Sequence, residues 1–140
     1  MRVYDGGRKK IPLGDKLGEI HTRLLGTLRG FNVWSVDGEG IRADVDIDFV
    51  AGGNPGVYQY VPDGELWVEN VYGSVDVIAT AFHECLECTL MIRDGLSYSH
   101  AHDVAAGFEV KLRQVLVGGT MSFSELEAEL SSILDADDDE

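Results

Sequence analysis

Lysine is scarce in this 140-residue chain, with Lys9, Lys10, Lys16 and Lys111 the only examples, and the 11 basic residues face 25 acidic ones. A formal net charge of −14 argues against binding to nucleic-acid phosphates, which needs clustered cations. No apolar run approaches the roughly 18 residues that mark a membrane span. The opening stretch "MRVYDGGRKKIPLG" carries positive charge but leads into no apolar segment, so it does not read as a signal peptide and a cytoplasmic location is expected. Cysteine occurs only twice, as Cys85 and Cys88, which excludes a disulfide framework and turns attention to metal or redox use. A glycine-rich phosphate loop, a nucleophile elbow and a basic-aromatic surface are all missing.

Hydrophobic residues at 44% and aromatics at 9% suffice for one folded domain, taken as residues 1–134, with an acidic tail "DADDDE" at 135–140. An aspartate-rich, lysine-poor surface suits a high-salt cytoplasm, and a halophilic source is the expectation. An irregular lead-in is expected over 1–13. Leu17, Ile20, Leu24 and Leu28 are spaced for a helix over Asp15–Arg29 that stops at Gly30. "FNVWSVD", a "GEG" turn and "IRADVDIDFV" read as two strands, the second alternating Ile41, Ala43, Val45, Ile47 and Phe49 with Arg42, Asp44, Asp46 and Asp48. Those aspartates read as a solvated strand face; they lack the loop and glycine of a calcium site. "AGGNPG" is a loop, and "VYQYVPDGELWVEN" reads as two strands around Pro62-Asp63-Gly64, with Leu66, Val68 and Asn70 on one face and Glu65, Trp67 and Glu69 on the other. A helix capped by Ser74 then runs to Gly95. Ser97 caps another to about Val117, and the capping box Ser122…Glu125 opens a last one to about Leu134. The class is α+β: a helix, an antiparallel sheet of about four strands, and three helices.

Residues 83–90 read "HECLECTL". His83 and Glu87 stand at i and i+4 and project from one helix face. A catalytic zinc site needs a third protein ligand, and "DGLSYSHAHDVAAGFE" supplies His102 a turn into the next helix, folded back by the short Gly95-Leu96 link. Tyr98 and Glu109 share the His102 face, and Ala105 and Ala106 let the helices approach. Glu109 serves either as a fourth ligand or as the partner that orients His102. Zinc is the expected ion, and iron or manganese also suits such donors. Cys85 and Cys88 cannot join the same ion without unwinding the helix and lie too far into it for a thioredoxin-like motif, so they read as buried free thiols.

The run "PDGELWVEN" ahead of "HECLECTLMIRDGLSYSHAHDVA" resembles zincin-type metallopeptidases, the small gluzincins most closely. It is also similar to an uncharacterised group of small prokaryotic and phage-type proteins with an H-E-x-x-E pattern followed by A-H. Glu87 stands where the zincin motif has its second histidine. The resemblance covers roughly 60–113. It implies an edge strand at "GELWVEN" along which a peptide or protein substrate would lie, Glu84 as general base toward the water that zinc activates, and Tyr98 as a donor to the oxyanion. The alternatives are a non-catalytic acidic interaction protein of phage or prophage accessory type, with any metal structural, and a hydrolytic or oxygen-using metalloenzyme of another kind.

Overall fold

The helix expected over Asp15–Arg29 is a single turn followed by a strand. The computed structural model of the chain describes residues 10–70, 73–117 and 119–135. Helix α1 spans Lys16–Ile20 and strand β1 follows at His21–Leu28. Local chemistry opposes a longer helix. Thr22 and Thr27 favour extended backbone. Gly26, at φ 156°, sits at a register shift in the β1 pairing. Arg29 and Gly30, at φ 46° and 87°, make a two-residue turn of the kind that joins hairpin strands. Gly30 therefore stops no helix; it turns the chain into β2 (Phe31–Val36), antiparallel to β1. The helically spaced apolar residues divide accordingly, Ile20 and Leu28 buried and Leu24 exposed.

The strand expected at "IRADVDIDFV" is also replaced. Asp37 accepts a hydrogen bond from the Gly40 N–H and caps helix α2 (Gly38–Asp44), so "GEG" is a helical first turn. The expected alternation fails with the strand: Ile41 and Phe49 are buried, but Ile47 is 80% exposed. A tertiary contact holds the segment. Arg42 donates through Nη1 and Nη2 to the two carboxylate oxygens of Glu69, at 3.0 and 2.6 Å, and through Nη1 to the Phe49 carbonyl at 3.2 Å. Such a fork leaves no periodic trace in the sequence.

Around Pro62-Asp63-Gly64 one strand forms rather than two. The residues before it make turns in which the Tyr58 and Tyr60 rings stack at 5.1 Å. A two-residue β3 (Gly52–Gly53) and β4 (Glu65–Glu69) complete a sheet of order β1-β2-β4-β3. The α+β class holds, but the sheet is mixed. β2 and β4 are parallel because the chain crosses through α2 and the turns before re-entering the sheet. β4 alternates as its sequence implies, although both faces are covered: Leu66 and Val68 pack in the core built by the three long helices, Trp67 in a smaller cluster with Ile20, Ile41 and Phe49.

Those long helices follow their punctuation. α3 spans Ser74–Asp94 and ends at Gly95 in the left-handed region, φ 71°; Gly73, not Ser74, is its N-cap. Ser97 accepts the His100 N–H and opens α4 (Tyr98–Val115), and the Ser122–Glu125 capping box opens α5 (Phe123–Leu134). No helix among the described residues is long and apolar enough to cross a membrane. The lead-in expected over 1–13 is described only from Lys10, and the tail expected over 135–140 only at Asp135; the remainder lies outside the described residues.

Glu69 is 4% exposed, so Arg42→Ala would strand its carboxylate. We expect a loss of about 2–4 kcal/mol in urea unfolding at neutral pH. The hydrogen bond from Arg42 holds the Glu69 pKa below its ordinary 4.5. Its contribution is therefore present above that value and lost as pH falls through the depressed one, and the deficit of the variant should narrow in acid.

Candidate metal centre

α3 and α4 form an antiparallel hairpin, and their facing sides carry matched polar residues. From one end to the other, Asp76 meets Arg113, His83 meets Glu109, and Glu87 meets His102. Wholly buried Ala101 and Ala105 allow the close approach. The three residues expected as ligands converge: one donor atom each from His83, Glu87 and His102 lies within 4.8 Å of the other two. The separations are 3.1 Å for His83 Nε2 to Glu87 Oε2, 3.2 Å for His83 Nε2 to His102 Nδ1, and 2.7 Å for His102 Nδ1 to Glu87 Oε2. Tetrahedral zinc with bonds of about 2.0–2.1 Å needs donors about 3.3 Å apart. The set is slightly contracted, and two imidazoles with one carboxylate fit the ion chemically.

Glu109 lies outside this donor group and orients His83, not His102 as expected: its Oε1 is 2.8 Å from His83 Nδ1. With the Nδ1 proton donated to that carboxylate, Nε2 is the nitrogen left to bind an ion. Glu109 is held in turn by Arg113, whose Nε donates to its Oε2 at 2.7 Å while Nη1 donates to Asp76 Oδ1 at 2.7 Å. The i, i+4 spacing of Glu109 and Arg113 was visible in the sequence; their role beside His83 was not.

Glu84 stands outside the donor group and reaches Asn54. The Asn54 amide nitrogen donates to Glu84 Oε1 at 2.8 Å and to Glu87 Oε1 at 3.0 Å, and its Oδ1 accepts the Gly56 N–H at 2.8 Å. Asn54 is fully buried. The sequence marks it only by the turn signal Asn-Pro-Gly. It arrives from β3, the edge strand beside α3. β4, expected at that edge, is an interior strand. A Cβ on Gly52 would lie 2.7 Å from Thr80 Cγ2 and 3.4 Å from Glu84 Cγ, so glycine is what lets the sheet edge touch the helix there.

A cavity of about 520 Å³ opens over the cluster, lined on one side by Val50, Val57 and Tyr58 and on the other by Tyr98, His102 and Arg113. The His102 side chain is 45% exposed, which places the donor group at the cavity wall. The Tyr98 ring lies 5.5 Å from the His102 ring. Burial, with Glu87 nearby, raises the Tyr98 pKa, so the phenol keeps its proton. Burial lowers the pKa of His83, but its hydrogen bonds with Glu109 and Glu87 outweigh that and lift it to about 10. Burial and the charge of Glu87 raise Glu84 to about 8. The hydrogen bond with His83 holds Glu109 below the usual carboxylate value. Cys85 and Cys88 are free, buried in the core and pushed by burial to about 12, which leaves them inert thiols.

No protein-family model, curated protein or solved structure matches the chain.

The proton on His83 stands where an ion would bind. His83 rises from 6.5 to about 10 in the fold, so its stabilising charge is fully present below 6.5 and fades toward 10. Glu84 rises from 4.5 to about 8, so the cost of its buried charge grows across that window. Both effects lower metal-free stability as pH rises. Thermal melts of metal-free protein should therefore fall from pH 6 toward 9, and the increment added by zinc should grow over the same range because the ion competes with a proton. An increment that shrinks with pH would exclude His83 as a ligand.

Proposed function

We propose that the chain is a zinc-dependent hydrolase of metallopeptidase type, with the ion held by His83, Glu87 and His102. The observation that carries this reading is the convergence of the three donors at the wall of an open cavity that also holds the buried carboxyl of Glu84. When bound, zinc supplies a Lewis acid that polarises a carbonyl and acidifies water.

The chain's own groups fit the remaining steps. Glu84 lies in the cavity wall beside Glu87, where its carboxylate form would accept a proton from attacking water and its acid form would return it to the leaving amine. Tyr98, neutral and lining the cavity, donates to the developing oxyanion. Glu109 fixes the His83 ring through Nδ1. The lining also speaks to substrate. Asp76, Glu84, Glu87 and Glu109 surround the cavity, and the one guanidinium, Arg113, is already engaged by two of them. Phosphoryl groups would meet carboxylates there, which favours a neutral amide or ester.

One observation favours a second reading. His83 and Glu87 come from α3 and His102 from α4, so an ion would also staple the hairpin. Glu84 separates the two readings, because a staple needs no base. Purified zinc-replete protein should hold one ion per chain and cleave fluorescence-quenched peptides. Glu84→Gln should keep the ion and lose about 10²–10⁴-fold in rate. His102→Ala should lose the ion. Retention of full zinc by His102→Ala would remove the third ligand. Stoichiometric zinc with no hydrolysis of peptide or ester substrates would leave only the staple.

A further inference from the structure

Asn54 spends one amide nitrogen on two carboxylates that have different work to do. It donates to Oε1 of Glu84 and to Oε1 of Glu87, whereas the Glu87 oxygen facing His83 and His102 is Oε2. The Gly56 N–H on Oδ1 fixes which end of the amide points at the acids, so both N–H groups are committed to them. Full burial of Asn54 shields these bonds from competition by water.

We infer that Asn54 is a positioning residue that keeps the metal centre open, by holding Glu87 to a single ligating oxygen and Glu84 out of the ligand set. This rests on the hydrolase reading. Glu84 and Glu87 are three residues apart on α3 and meet at the same Asn54 nitrogen, so without that donor a side-chain rotation would let either carboxylate add an oxygen to the ion. Glu87 would chelate through both oxygens, or Glu84 would add a fourth protein ligand. In either case the position that water and substrate need is filled, and the base is consumed. With Asn54 in place, three protein donors and an unfilled position remain, the arrangement that distinguishes catalytic from structural zinc.

The consequence runs opposite to that of an ordinary supporting residue. Loss of a hydrogen bond to a ligand usually weakens metal binding; here it should leave binding equal or tighter while catalysis fails. The test uses the full chain loaded with cobalt(II), whose visible bands are intense in four-coordination and weak at higher coordination. Asn54→Ser keeps an oxygen for the Gly56 N–H and lacks the amide donors; Asn54→Thr is the second variant if the first fails to fold by circular dichroism. The expected result is no weakening of cobalt binding, a fall in peptide hydrolysis by about 10–100-fold, and an altered visible spectrum: most of the intensity lost where Glu87 chelates through both oxygens, or the four-coordinate bands shifted where Glu84 replaces water. Four-coordinate bands equal to wild type in both position and intensity in a folded variant overturn the proposal and leave the hydrolase reading intact. Failure of the wild-type chain to bind cobalt at all overturns that reading, and this proposal with it. Glu84→Ala, made with Asn54 unchanged, must keep the four-coordinate bands; a change there makes Glu84 a ligand and also overturns the assignment.

Discussion

His83, Glu84 and Glu87 are 8%, 9% and 2% exposed, and all three belong to little more than one turn of α3. An ion left uncompensated in such a place costs several kcal/mol, so the fold has to bring partners to it. Glu109 and His102 come from α4, and Asn54 comes from the sheet edge. Arg113 and Asp76 extend the chain of contacts along the hairpin. The docking of α4 and the approach of β3 are both tied to this one demand. No buried side-chain nitrogen or oxygen among the described residues lacks a hydrogen-bond partner.

A satisfied polar core would account for the hydrogen bonds alone. It would not call for a cavity of about 520 Å³ beside them, nor for a cavity-lining histidine whose side chain is 45% exposed. Nor would it line that cavity with four carboxyl groups and a single guanidinium that two of them already engage. In the metal-free chain the charge on His83, held by Glu109 and Glu87, offsets part of that negative charge. A divalent ion at the same point offsets more, while demanding only that the proton leave. The network thus has two compensated states built on the same donor positions.

The sequence was most legible where structure is set by neighbours along the chain. Gly95 at positive φ, Ser97 at a cap and Ser122 with Glu125 in a capping box are complete within a few residues, and α3, α4 and α5 appear where they indicate. The convergence of His83, Glu87 and His102 was legible for the same reason: helix geometry fixes His83 against Glu87, and a short link brings His102 opposite. Prediction failed where a tertiary contact decided. The Arg42–Glu69 fork spans the segment read as an alternating strand, and Asp37 supplied a cap that competed with the strand pattern. Glu109 shares the His102 face when α4 is taken alone, yet it pairs with His83 across the hairpin. In an antiparallel hairpin, two turns beyond His102 on α4 is level with His83, not with His102.

Asn54 was out of reach of any local argument because its position is set by sheet register. Gly52 and Gly53 pair with Val68 and Trp67, which fixes β3 alongside the strand that packs on α3. Just before it, Ala51 takes φ 62° while the Gly52 N–H bonds to the Val50 carbonyl at 2.6 Å, a three-residue turn that is unfavourable for a residue with a side chain. The Glu69 N–H donates to the Ala51 carbonyl at 2.7 Å and holds the turn in place. The same Glu69 receives the Arg42 fork, so the contact that defeated the strand prediction also anchors the sheet edge carrying Asn54. Two glycines let that edge lie against Thr80 and Tyr58 without steric conflict. The cluster is therefore a property of the sheet as much as of the helices: α3 and α4 bring His83, Glu87 and His102 together, and the sheet edge brings Asn54 to the Oε1 atoms of Glu84 and Glu87.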